Sequence, residues 1–161
     1  MARRFRGSET FKVDAKGRVS IPASFRRVIE ACDPDWQPGQ RPNIVIVYGP
    51  PEQKYLEVFT MEAAYEIDDQ IDAMQRGSQE RREVEEKMYE LSHQTDIDND
   101  GRLVLPQKLR EKIGLKSEAY FASAGTTFKI WDPEAYEADR ETRMDRPKDY
   151  DPLVNLPQVA P

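Results

Sequence analysis

Two arginines, Arg18 and Arg102, are the side chains best placed to do chemistry, and each follows an Asp-x-x-Gly turn. The first stands in Asp14-Ala-Lys-Gly-Arg18-Val-Ser-Ile-Pro22-Ala-Ser-Phe-Arg26, the second in Asp98-Asn-Asp-Gly-Arg102-Leu-Val-Leu-Pro106-Gln-Lys-Leu-Arg110. The two stretches lie 84 positions apart (Asp14 to Asp98), and Asp, Gly, Arg, Pro and Arg coincide in both. The apolar positions coincide too: Val13 with Ile97, Ile21 with Leu105, Phe25 with Leu109, Ile29 with Ile113. A hairpin turn explains the turn-forming Asp14, Gly17, Asp98 and Gly101, because Asp bonds the backbone two residues on and Gly supplies a positive φ. It does not require an arginine at the same place twice. A guanidinium just past a tight turn offers five donors on a rigid fork that suits phosphate oxygens and guanine edges. The chemistry these residues support is recognition of duplex DNA by a β-element.

Other chemistries have weaker grounds. Asp96, Asp98, Asp100 and Gly101 resemble the opening of an EF-hand loop, which needs a bidentate Glu at its twelfth position; here that position is Gln107, and the first copy sets Lys12 and Lys16 against Asp96 and Asp100. The chain has one histidine, His93, and one cysteine, Cys32, too few for a metal cluster of such ligands. No glycine-rich phosphate cradle is present, and the abundant carboxylates suit a solvated helix face. We therefore expect no enzyme, no metal, no cofactor and no small-molecule substrate.

Charge is divided along the chain. The net charge is −6, which alone argues against nucleic acid. Residues 1–27 nevertheless carry eight basic and two acidic side chains, among them Arg3, Arg4, Arg6, Lys16 and Arg18. Residues 62–100 carry 13 acidic and four basic ones. Such a split bears on partners more than the total does. No apolar run reaches the ~20 residues of a membrane helix. A single cysteine and the lack of an apolar segment behind the basic N-terminus point to the cytoplasm.

The elements that must position these residues repeat as well. Alternation predicts a strand over 10–14, then a turn and a strand over 18–21. Pro22 suits the first turn of a helix reaching about Ala31. A Pro/Gly loop over 32–43 leads to strands over 44–48 and 55–59. Thr60 caps a helix bearing Met61, Ala64, Ile67, Ile71 and Met74. Gly77-Ser78 breaks it, and a second helix runs to about Leu91. The second copy follows: strands over 95–98 and 102–105, a helix over 106–113, a hairpin of 120–123 with 127–131 around Gly125, and a helix capped at Asp132. Each copy is too small to bury a comfortable core alone, so the two should share one. From about Arg140 the chain is polar and proline-punctuated and reads as a disordered tail over 141–161.

Phe5-Arg-Gly7, the two Asp-x-x-Gly-Arg motifs and Phe128-Lys-Ile-Trp131 closely resemble the bacterial MraZ family. The resemblance covers roughly residues 5–140. It implies an α+β fold of two tandem SpoVT-AbrB-type swapped-hairpin β-barrel repeats forming one pseudo-twofold unit, with helices between and after them. The implied divisions are a first repeat at 5–60, a helical connector at 61–92 and a second repeat at 93–140. It further implies a nucleoid-associated transcriptional regulator, mainly a repressor, of the division and cell-wall gene cluster including its own operon. Such a regulator would be a homo-oligomeric ring binding short direct repeats in promoter DNA. By this carry-over Lys16 and Arg18 match the DNA-contact loop and Arg102 its second-copy arginine. Two departures stand out. Asp100 replaces the lysine of the first loop, so Arg102 could pair with Asp98 instead of DNA, and the loop 32–43 and the Pro-rich tail lie outside the family pattern. The rivals are an AbrB-like antitoxin, which usually carries one copy, and an assembly protein whose basic end binds something acidic other than DNA.

Overall fold

The computed structural model describes residues 3–143 and 145–159. Pro161, at the end of the expected tail, and Met144 lie outside them. Strand β1 (Ser8–Lys12) leads through the first Asp-x-x-Gly turn to β2 (Arg18–Ser20). Pro22 then precedes helix α1 (Ala23–Ala31), whose Phe25, Val28 and Ile29 share the inward face. After the loop come β3 (Asn43–Val47), β4 (Tyr55–Thr60) and α2 (Met61–Asp72), with the Thr60 hydroxyl accepting from the Ala63 amide at 3.1 Å. Helix α3 (Gln79–Glu85) continues into a π-turn, Glu86–Glu90. The second copy supplies β5 (Ser92–Asp96), β6 (Arg102–Val104), α4 (Gln107–Lys112), β7 (Glu118–Ser123), β8 (Thr127–Trp131) and α5 (Pro133–Thr142).

The strands do not pair copy by copy. One antiparallel sheet runs β1-β7-β8-β4-β3-β5, and β2 pairs β6 in a separate two-stranded ribbon. Thus β1 of the first copy pairs with β7 of the second, and β5 of the second pairs with β3 of the first. The ribbon puts Val19 opposite Leu103, two positions equivalent in the repeat. A pseudo-twofold axis therefore passes between them.

The expectation of a shared core holds. One cluster joins Val19, Ile21, Phe25 and Ile29 of the first copy to Ile97, Leu103, Phe121 and Phe128 of the second. Phe5 packs edge-on against Phe25 at 5.1 Å and Phe128 at 5.0 Å. On the opposite face of the sheet Phe59, Ala63 and Ala64 form a smaller cluster with Val47. This seats the acidic helix α2 there.

Three local expectations shift. The first strand begins earlier, at Ser8, because its ladder with β7 runs from Ser8 opposite Ala122 to Lys12 opposite Glu118; Asp14 belongs to the turn. A hairpin turn joins the first two strands, yet they enter different sheets, because each finds its ladder in the other copy. The helix expected to run on to about Leu91 ends as a π-turn, with the Leu91 amide reaching back to the Glu86 carbonyl at 2.9 Å. That wider turn aims the chain into β5. Beyond α5 a 3-10 turn forms at Pro152–Asn155. Among the described residues no helix is long and apolar enough to cross a membrane.

Candidate nucleic-acid interface

The first turn is built by one carboxylate. Asp14 Oδ1 accepts from the Lys16 and Arg18 amides, each at 2.9 Å, and Oδ2 accepts from Arg18 Nε at 2.6 Å. These contacts, the Arg18 amide foremost, hold the Asp14 carboxyl below the usual carboxylate range. Gly17 closes the turn at φ +82°. Its carbonyl accepts from the Leu105 amide of the second copy at 2.8 Å. The second turn repeats this backbone: Asp98 Oδ1 accepts from the Asp100 and Arg102 amides at 2.9 Å each, and the Gly101 carbonyl accepts from Ile21 at 2.9 Å.

The ribbon brings the two repeated arginines together. Arg18 stands opposite Val104, and Arg102 opposite Ser20. They are diagonal neighbours, about 7–8 Å apart on one face. Val19 and Leu103 fill the other face and are fully buried. Arg18 and Arg102 are half-exposed, Ser20 and Val104 exposed. The sequence motifs therefore meet as one outward surface.

The side chains of the two turns differ. Lys16 is exposed, and among the described residues no ion pair holds it. Arg18 is held through Nε alone, which leaves both Nη groups without a hydrogen-bond partner among the described residues. Arg102 is more committed: Nη2 donates to Asp100 at 2.9 Å and Nε lies 3.6 Å from Asp98. The pairing foreseen for Arg102 is thus present and involves Asp100 as well as Asp98. The Asp98 and Asp100 carboxylates are in turn occupied by amides and by Arg102. Among the described residues no group of three or more His, Cys, Asp or Glu side chains is arranged to hold a metal ion.

The N-terminal arginines lie elsewhere. Phe5 is buried and its amide donates to the Gly125 carbonyl at 2.6 Å, which fixes the arm and leaves Arg4 and Arg6 exposed on either side. Arg3 turns back and donates to the Ala31 carbonyl and to Glu62, both at 3.0 Å. With Ser24 and Arg27 of α1 the three arm arginines line a cleft of about 240 Å³. Arg6 precedes β1 and Lys16 follows it. At ~3.3 Å per strand residue the cluster and the turn sit roughly 20 Å apart. The structure thus separates two basic features that the sequence runs together.

A further pair of residues completes the turns. Arg110 lies over Gly17 and donates Nε to the Leu105 carbonyl at 2.9 Å, and its equivalent Arg26 lies over Gly101. Their repetition after Pro22 and Pro106 is visible in the sequence; that each covers the other copy's turn is not, because strand exchange decides it.

These features define a class: a pseudo-twofold α+β protein, mostly antiparallel, that displays a basic turn beside an outward-facing arginine ribbon. Comparison with known proteins supplies the family. A family model described as "MraZ protein, putative antitoxin-like" matches residues 88–149. A Ruegeria pomeroyi protein called "Transcriptional regulator MraZ" is 54% identical over 161 residues, covering 97% of this chain and 96% of its own. One of the same name from another Ruegeria is 56% identical with the same coverage, and one from Gluconobacter oxydans is 33% identical over 142 residues, covering 88% and 84%. The chain belongs to the MraZ family.

Proposed function

We propose that this chain is a DNA-binding transcriptional regulator with no catalytic activity. The carrying observation is the ribbon surface. Lys16 is exposed and the two Nη groups of Arg18 are unpaired among the described residues, beside the diagonal Arg102 and on an element short enough to enter a major groove. The name borne by its relatives supports the same reading. Interleaving of β1 with β7 and of β5 with β3 supports reading the copies as two SpoVT-AbrB-type swapped-hairpin repeats, at 5–60 and 93–140, joined by the helical connector 61–92.

In this reading Arg18 reads base edges, Lys16 neutralises phosphate, and Arg4 and Arg6 contact the backbone farther along the duplex. Arg3 and Arg102 serve mainly to hold the arm and the second turn. One subunit offers few phosphate contacts. A ring of copies on successive direct repeats multiplies them through effective concentration. The targets are the promoter of the division and cell-wall gene cluster, its own operon included, where the protein acts mainly as a repressor in the cytoplasmic nucleoid. The antitoxin reading has the family model's description in its favour, but two copies in one chain complete the interleaved unit without a second chain. A DNase footprint on the DNA upstream of the gene tests the proposal. Protection spaced over short direct repeats is expected. Uniform protection or none would remove the sequence-specific role.

A further inference from the structure

A second basic surface lies off the ribbon. Lys108 and Lys112 of α4, with His93, stand around a cleft of about 280 Å³ whose apolar walls are Tyr48, Pro106 and Leu109. No acidic side chain lines it. Lys112 Nζ donates to the Gln53 carbonyl at 2.7 Å, which fixes one ammonium at the rim. Burial, then the charge of Lys54, holds that ammonium below the usual lysine range. An anionic group there would oppose the effect of Lys54, as Glu52 already does in part.

The chain also carries a segment of opposite character. Residues 149–159 hold Asp149 and Asp151 and no basic side chain. Leu153, Val154, Leu156 and Val159 are between 65 and 87% exposed. Four such side chains in seven residues form an exposed apolar stretch of the kind that marks an interaction surface. The segment is partly preorganised. Asp151 Oδ1 accepts from the Leu153 amide at 3.0 Å, the 3-10 turn follows, and the Tyr150 hydroxyl meets Asn155.

We propose that residues 149–156 of one copy dock in the Lys108–Lys112 cleft of a second copy. The charges are complementary. Lysines four apart on a helix lie about 5–6 Å from each other at Cβ, and no acid lines their cleft. The segment offers two acids two residues apart, Asp149 in the turn that the Tyr150 amide closes on the Pro147 carbonyl and Asp151 at the cap of the 3-10 turn. Asp149 and Asp151 thus meet Lys112 and Lys108, and Leu153 and Val154 cover Tyr48 and Leu109. Within one chain no residue of the segment lines the cleft, and the occupant is therefore assigned to another copy. The contact is heterologous, joining two different surfaces.

The test uses a fluorescent peptide of residues 145–159 titrated into the full chain bearing Asp149→Lys and Asp151→Lys, whose own tail no longer competes. Saturable binding is expected. Adding Lys108→Glu and Lys112→Glu to that chain should weaken it at least tenfold, and a peptide bearing Asp149→Lys and Asp151→Lys should bind a chain that carries Lys108→Glu and Lys112→Glu alone, whose native tail is repelled by the reversed cleft. Absence of saturable binding overturns the proposal. So does binding that the cleft substitutions leave unchanged, or a cleft variant that loses only DNA affinity. Zero-length carbodiimide coupling of a mixture of nitrogen-15-labelled and unlabelled wild-type chains locates the tail: mixed-isotope links between Asp149 or Asp151 and Lys108 or Lys112 are expected, and same-isotope links alone would overturn the second-copy assignment.

Discussion

Turn 1 carries Lys16 where turn 2 carries Asp100, and Arg110 covers the first as Arg26 covers the second. Counting Asp14, Lys16, Arg18 and Arg110 at one and Asp98, Asp100, Arg102 and Arg26 at the other, turn 1 is two charges positive and turn 2 is neutral. The backbones are otherwise alike: both carboxylates accept two amides at 2.9 Å, and both glycine carbonyls accept from the opposite copy. The two frames share their backbone bonding and differ at two side chains, Ala15 against Asn99 and Lys16 against Asp100, of which the charged exchange makes one turn a candidate contact and the other a brace. Identical backbone geometry therefore says little about which frame meets a ligand; the charge left unpaired on it says more.

The glycines give the largest separation between the turns. Both have a left-handed φ, +82° at Gly17 and +73° at Gly101, which costs a side-chain-bearing residue about 1–2 kcal/mol. Their surroundings differ. A Cβ at Gly17 would collide with the Leu105 carbonyl oxygen, fixed backbone that bonds Arg110. At Gly101 the nearest atom is Arg26 Nη1 at 2.9 Å, the end of a flexible side chain. Gly17→Ala should therefore cost about 2–5 kcal/mol once about 1–3 kcal/mol of overpacking is added, and Gly101→Ala about 1–2 kcal/mol. Urea unfolding of the two variants measures this. Equal midpoints would mean that the backbone collision relaxes freely, and the asymmetry claimed for the frames would go.

Much of this frame is legible in the sequence, because turn chemistry and the repeat are local. Asp, Gly and Pro state their backbone requirements within five residues, and the offset of 84 positions marks the second frame from the first. Strand exchange is not local. Nothing between residues 8 and 20 says that Ser8–Lys12 pairs with Glu118–Ser123 and Arg18–Ser20 with Arg102–Val104. For the same reason the sequence shows Arg18 and Arg102 as openers of two separate strands, while the ribbon makes them neighbours. Arg3 misleads from the other direction. It reads as part of a basic cluster, yet Glu62, 59 positions on, holds it. Charge runs report composition, and only the fold decides which members remain unpaired.

The arginines sharpen the contrast at the level of binding. Arg18 keeps both Nη groups, the pair that suits guanine O6 and N7. Arg102 has Nη2 on Asp100 and Nε facing Asp98. Arg18→Ala should cost about 1–3 kcal/mol of affinity for the specific site and relax sequence preference. Arg102→Ala should stay within about 0.5 kcal/mol, the range of surface changes away from a contact. Fluorescence anisotropy on a promoter fragment and on scrambled DNA gives both numbers. A loss at Arg102 equal to that at Arg18 would place both arginines in the groove and dissolve the distinction between contact and brace.

Lys16 and Asp100 give the smallest effect, and it appears as salt dependence. Each phosphate neutralised contributes ~0.9 to the slope of log K against log salt, because condensed counterions are released. Lys16 is exposed at the tip of turn 1. Lys16→Ala should flatten the slope by about 0.9 per binding turn and weaken specific and scrambled DNA alike. Asp100→Lys does the reverse at turn 2: it removes the partner of Arg102 Nη2 and sets a lysine where turn 1 already has one. The slope should steepen by about 0.9 if turn 2 faces the duplex, and stay unchanged if only turn 1 does. The pair thus separates two geometries that the single-arginine variants leave mixed. In one, the duplex lies along the ribbon diagonal and reaches both turns. In the other, it crosses the Lys16 end alone, and the Asp98–Arg102–Asp100 arrangement exists to keep the second frame folded.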